Sequence, residues 1–156
     1  MHVVRCEREG RSVYLVWDEA GGDALLVDWD GVVPELAAVV ERERLRPAWH
    51  ARTDARRLED AGPAGARLAA ELAAAYPRLR TAWYAGCGTL RVGGLRIDVL
   101  WTPRDGGVAG LSFVVDEKAA FTGALQAAAE ARDERAARSL EVVREYAALA
   151  ELHPGA

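Results

Sequence analysis

The chain has 156 residues, of which 20 are basic and 24 acidic, and its formal net charge is −4. A chain of this length forms one domain and buries roughly 70% of the surface that its unfolded form exposes. The arginines alternate with acids and form no basic stripe, which argues against nucleic acid as a partner. No run of about eighteen apolar residues predicts a membrane-spanning helix, and the start of the chain lacks a signal peptide, so we expect a cytoplasmic protein without a membrane partner.

The first half of the sequence predicts an antiparallel meander followed by two helices. Residues 3–7 and 12–17 have the β-branched and aromatic content of strands and form a hairpin around Gly10. A third strand at residues 24–28 is apolar throughout. Residues 32–45 and 64–76 have helical periodicity, with Pro34 in the first turn of one and Pro77 as the stop of the other. Between these helices, residues 49–55 read as a buried strand that opens into a loop.

The second half predicts a second meander. Residues 81–84 form a strand, and residues 89–101 alternate apolar and polar positions around Gly93 and Gly94, which predicts a hairpin. A loop at 102–110 precedes strands at 111–115 and 119–122, and residues 125–152 form a terminal helix. Two meanders, each followed by helix, predict two sheets in a layered α/β sandwich.

Candidate functional residues follow the predicted strands. His50, Arg52 and Asp54 lie where the central strand ends, a place that suits a metal shell, an acid–base site or a solvated loop. Trp29, Trp49 and Trp101 also lie at strand ends, where they either line a pocket for a small-molecule ligand or fill the core.

Three short motifs follow one another along the chain. Residues 50–55 read His-Ala-Arg-Thr-Asp-Ala, residues 102–103 read Thr-Pro, and residues 121–123 read Phe-Thr-Gly. In this order they resemble the His-x-His-x-Asp-His motif, the start of the Thr-Pro-Gly-His-Thr loop and the Phe-Thr-Gly-Asp motif of the metallo-β-lactamase superfamily, in particular its glyoxalase II and persulfide dioxygenase-like branch. The resemblance implies a four-layer αββα sandwich built as a compact single domain over residues 1–156.

The resemblance also implies a degenerate metal site. Arg52, Ala55, Asp105 and Ala124 stand where the family has metal ligands, and of its ligands only His50 and Asp54 are kept. Because a guanidinium stays protonated and cannot coordinate a cation, we expect no metal cofactor. The weaker alternative is one zinc, iron or manganese ion held by the remaining histidine and aspartates, His50, Asp54 and Asp105.

Two readings of the arginines stay open. Arg52 either fills the vacated metal position and pairs with Asp54 and Asp105, or reaches solvent with Arg104. We group Arg52 and Arg104 with the three tryptophans as a candidate ligand pocket.

The leading functional hypothesis is a pseudoenzyme that binds a small ligand or a protein partner, as a homodimer through the helix at 125–152 or in a heteromeric complex. The competing hypothesis is a hydrolase of a small ester, thioester or lactone, with His50 as base and Asp54 or Asp105 as its orienting carboxylate.

Overall fold

A computed structural model describes residues 1–8, 11–53, 62–82, 88–103 and 109–122. Contacts divide the chain into two compact units: of the described residues, the first contains 1–8, 11–52, 62–82 and 92–95, and the second contains 53, 88–91, 96–103 and 109–122. The prediction of a single domain stays a prediction. No helix in the described ranges has the length and apolar character needed to cross a membrane.

The first unit contains a five-stranded sheet. Its strands are β1 (His2–Arg8), β2 (Arg11–Trp17), β3 (Asp23–Val27), β4 (Arg46–Ala51) and β5 (Arg80–Ala82), in the spatial order β1-β2-β3-β4-β5. The first three strands are antiparallel, which confirms the predicted meander, and β3, β4 and β5 run parallel. The parallel strands therefore end at one edge of the sheet, and that edge carries the candidate site.

Helix α1 (Pro34–Arg42) begins and ends inside the predicted range. Pro34 opens it, since a proline at the first position loses no helical hydrogen bond. The prediction extended the helix to residue 45, and this was wrong. Arg44 has φ +54°, outside the helical region, and the following residues already enter β4.

Helix α2 (Gly62–Ala75) starts two residues before the predicted segment and ends just before Pro77, as expected. Both helices pack on one face of the sheet. Their inward residues join those of β2 and β3 in one apolar core, whose largest fully buried members are Trp29, Leu15, Leu26 and Leu36.

The second unit contains a four-stranded sheet in the order β6-β7-β8-β9, with β6 (Gly88–Val92), β7 (Leu95–Pro103), β8 (Ala109–Val115) and β9 (Ala119–Thr122). The predicted hairpin around Gly93, which has φ +58°, is confirmed. The predicted loop at 102–110 was too long, because Thr102 and Pro103 pair with Gly110 and Ala109 and extend both strands. The predicted helix at 125–152 lies outside the described residues.

Candidate functional site

The candidate site lies where β3 and β4 end side by side. Val27 and Ala51 are partners in the parallel register, and the backbone N–H of Asp28 donates to the carbonyl of Ala51 at 2.9 Å. The chain then leaves β3 through residues 28–31 and leaves β4 through residues 52–53. Side chains that follow the two strands are therefore brought together at the carboxyl edge of the sheet.

His50 is a buried residue of this edge. It sits in β4 between Leu26 of β3 and Thr81 of β5 in the register, and it is 2% exposed. The sequence predicted its place at the end of a buried strand, and the structure agrees.

Arg52 follows β4 and is also buried, with a side chain that is 9% exposed. Its guanidinium donates to Oδ1 of Asp30 at 2.7 Å, while Oδ2 of the same carboxylate accepts from Arg11 at 3.2 Å. We call Arg11, Asp30 and Arg52 the arginine–aspartate cluster. Arg52 therefore does not simply reach solvent. The proposed partners Asp54 and Asp105 lie outside the described residues, as does Arg104.

The loop at residues 28–31 fixes the position of Asp30. Its neighbour Trp29 is fully buried, donates from Nε1 to the carbonyl of Tyr14 at 2.8 Å, and meets the ring of Tyr76 edge-on. Gly31 has φ +97°, and a Cβ at this position would lie 2.8 Å from Cδ2 of Leu68 in α2. The loop is thus held from both sides, so the carboxylate is positioned before any ligand arrives.

The tryptophans differ in their surroundings. Trp29 lies in the core cluster and fills the interior of the first unit. Trp49 is half-buried in β4, and the guanidinium carbon of Arg80 lies 5.9 Å from its ring centroid, within cation–π range. The side chain of Trp101 lies outside the described part of the chain.

Sequence reasoning missed Asp30, Arg11 and Arg80. A signal for Asp30 was present, because the Trp-Asp-Gly segment that follows β3 is polar and turn-forming. The parallel pairing of β3 with β4, which brings Asp30 to Arg52, was not visible locally.

The residues that the structure describes at this edge leave out two potential metal ligands, Asp54 and Asp105. The described residues contain no group of three or more His, Cys, Asp or Glu side chains that could hold an ion. Arg52, which the resemblance puts at a ligand position, is a buried cation already paired with a carboxylate. A divalent ion at the same place would meet a positive charge that cannot be titrated away.

Two solved structures are similar to this chain. A metallo-β-lactamase from Staphylococcus aureus subsp. aureus COL superposes with a TM-score of 0.60 at 17% identity, over 79% of this chain and 43% of its own. ETHE1 from Myxococcus xanthus superposes with a TM-score of 0.53 at 19% identity, over 79% of this chain and 57% of its own.

The chain has the metallo-β-lactamase fold.

This confirms the fold class that the three motifs predicted. At these identities the metallo-β-lactamase fold is what the similarity establishes, and the chain spans about half the length of the two structures. No family model matches the sequence, and comparison with curated proteins finds no match.

Proposed function

We propose that this chain is a catalytically degenerate protein of the metallo-β-lactamase fold that acts by binding, either a small ligand or a protein partner, and that carries no resident metal ion. The observation that supports it is the ion pair of the buried Arg52 with Asp30, whose side chain is 35% exposed, N to O 2.7 Å, at the end of β4. In an active centre of this fold class, several neutral imidazoles and carboxylates surround an open position. Here the guanidinium of Arg52, which follows β4, and the carboxylate of Asp30, which follows β3, lie at this end of the sheet instead.

The charge balance of the arginine–aspartate cluster favours this proposal. Among the described residues, two guanidinium groups contact the carboxylate of Asp30, so these three side chains together carry one net positive charge. A divalent cation beside Arg52 would add repulsion, because this guanidinium is buried and its charge is weakly screened. Arg52 supplies the electrostatic role of an ion by holding the loop after β3 against the end of β4.

Hydrolysis by a His50 and Asp54 pair receives less support. A general base must come within hydrogen-bond reach of the proton that it removes, and His50 is 2% exposed. Its buried place between β3 and β5 suits a structural histidine.

Elemental analysis tests the proposal. The protein is purified without chelator and without added metal, and zinc, iron and manganese are then measured per chain. We expect substoichiometric amounts of all three. A stoichiometric ion that is lost on changing His50→Ala would reject the proposal, whatever its identity.

A gain-of-function pair sharpens the test. The double variant Arg52→His with Ala55→His restores the ligand pattern of residues 50–55 that the resemblance implies. The matched control, Arg52→Gln with Ala55→Gln, removes the same charge without adding imidazoles. Zinc binding is measured by competition with a chromophoric chelator. We expect zinc to bind more tightly to the first variant than to the parent or the control, because imidazole is a zinc ligand and an amide is a poor one.

A further inference from the structure

Strand β1 is one edge of the five-stranded sheet. It pairs with β2 over all seven of its residues without a register shift. The first pair is His2 with Trp17, and the last is Arg8 with Arg11. On its other side no strand pairs with it among the described residues. It contains no proline and no bulge, two devices that commonly protect an edge. Within the part of the chain that the structure describes, its outer backbone groups therefore have the geometry to pair with another strand.

The strand is well anchored on its inner side. The N-terminal ammonium of Met1 lies 3.3 Å from Oδ1 of Asp18, and the ring of His2 stacks on Trp17 at 5.1 Å. Val4 and Cys6 pack partly against the core on the helix-covered face. Because β1 is already extended and fixed, adding a strand to it costs little ordering entropy.

A second copy of this chain can add such a strand by two-fold symmetry. A two-fold axis perpendicular to the sheet leaves each face of one copy on the same side as the equivalent face of the other copy. Residues of one copy can therefore lie opposite only residues that share their face of the strand. Three central registers satisfy this condition. Each register is centred on one residue, which lies opposite the same residue of the second copy. The central residue is Val4, Arg5 or Cys6.

Charge selects among these registers. Centring on Arg5 places two guanidinium groups directly opposite each other, which is unfavourable. Centring on Val4 places Arg5 opposite Val3 and leaves its charge without a cross-strand partner. Centring on Cys6 places Arg5 opposite Glu7 of the second copy, twice, and puts the two thiols opposite each other. Arg5 and Glu7 share a face and already contact at 2.5 Å within one chain, with side chains that are 34% and 70% exposed.

We propose that β1 is a homodimer interface, in which two copies join antiparallel edges in the register that pairs Arg5 with Glu7 and Cys6 with Cys6. The two five-stranded sheets then form one continuous sheet across the axis. The cluster residue Arg11 pairs with Arg8 at the far end of β1, whereas the proposed register depends on Arg5, Cys6 and Glu7, so the proposal holds whether or not the cluster has replaced a metal centre.

Charge reversal tests the register. Arg5→Glu and Glu7→Arg, each alone, place like charges opposite each other in the dimer. We expect each to weaken dimerisation by at least about tenfold in sedimentation velocity. An equimolar mixture of the two variants is expected to form a heterodimer, because every cross-strand pair is again of opposite charge. The variant with both changes is expected to dimerise like the parent.

The mixture is the decisive arm. In it the contacts within each chain stay like-charged, so recovered association can only come from pairing between chains. A parent that sediments as a monomer at about 100 µM, near the upper range of weak specific association, overturns the proposal. So does a dimer that neither single reversal weakens, since its interface then lies elsewhere.

Oxidative cross-linking tests the position of Cys6. Residues directly opposite in an antiparallel pair have Cα atoms about 4.5–5.5 Å apart, within the span of a disulfide. Diamide accepts two electrons and two protons from the paired thiols and becomes its hydrazine while the S–S bond forms. We expect a covalent dimer from the parent and none from Cys6→Ser, both of which keep Cys87. A cross-link of equal yield in the two proteins overturns the register.

Discussion

Removing the guanidinium of Arg52 is expected to loosen the site more than removing any exposed arginine. Arg52→Ala deletes a side chain that is 9% exposed and that contacts Oδ1 of Asp30 at 2.7 Å. It leaves a carboxylate that is 35% exposed and still lies 3.2 Å from Arg11. The stranded Asp30 can therefore hydrate, and the variant loses mainly a charge-assisted hydrogen bond and the packing of the arginine stem.

The free energy of unfolding is expected to fall by about 1–3 kcal/mol, the scale of a hydrogen bond to a charged group. Asp30→Ala is expected to cost at least as much, because it removes a counter-ion from a cation that is more deeply buried than the carboxylate. Arg11→Ala is the matched control. Its side chain is 73% exposed, and its loss is expected to cost under about 1 kcal/mol.

Urea denaturation followed by circular dichroism measures these effects as shifts of the midpoint. A double-mutant cycle over Arg52→Ala and Asp30→Ala isolates the pair itself, with an expected coupling of about 1–2 kcal/mol. High salt is expected to reduce the effect of Arg11→Ala more than the coupling, since the pair with the buried Arg52 is screened less than the pair with the exposed Arg11.

Equal stability of Arg52→Ala and Arg11→Ala at neutral pH would refute this reasoning, as would a coupling indistinguishable from zero. Either result would mean that the pairing with Asp30 does not hold Arg52 in place. The electrostatic replacement of a metal ion would then lose its physical basis.

Two further changes probe the frame around the site. Gly31→Ala is expected to lower the free energy of unfolding by about 2–3 kcal/mol, because φ is +97° and the new Cβ lies 2.8 Å from Leu68. Gly21→Ala is the control. Its φ is +73° but nothing lies within 4 Å of the new Cβ, so it is expected to cost only about 1 kcal/mol. In a Leu68→Ala background the two costs should converge in urea denaturation, and an unchanged gap would exclude the clash. Burial raises the pKa of Tyr14, and burial followed by the charge of Glu41 raises the pKa of Tyr76. As pH rises, the unfolded chain therefore loses these two protons before the folded chain does. The contribution of the two tyrosines to the free energy of unfolding is fully present below about pH 10 and is lost as pH rises through the folded pKa values. The double variant Tyr14→Phe with Tyr76→Phe should flatten this fall in urea midpoints, and the same slope in both proteins would contradict the assignment.

Local patterns in the sequence were enough to predict most of the strands. Alternation and paired glycines predicted the hairpin around Gly93, and β-branched runs predicted β1, β2 and β3. These features depend on residues two or four apart, so a linear reading contains them. The order of three motifs along the chain then predicted the metallo-β-lactamase fold, which the two similar structures share over 79% of this chain.

The ends of elements were predicted less well. α1 was extended past Arg42, and the strands flanking residues 104–108 were cut short. In the helix the apolar pattern of the sequence continues past the real end, and in the strands it breaks before the real end. The pattern of the sequence therefore does not mark either boundary. Pairing between strands extends β7 to Pro103 and starts β8 at Ala109, because these two residues are partners in the register.

The sequence by itself determined the chemistry available at the site: a histidine in a buried strand, an arginine two residues later, and few groups able to bind a cation. Only the tertiary structure decided what that arginine contacts. Asp30 and Arg52 are 22 residues apart, and they meet because β3 and β4 run parallel in register and end at one edge. Such a partnership depends on strand order, which no local stretch of residues encodes.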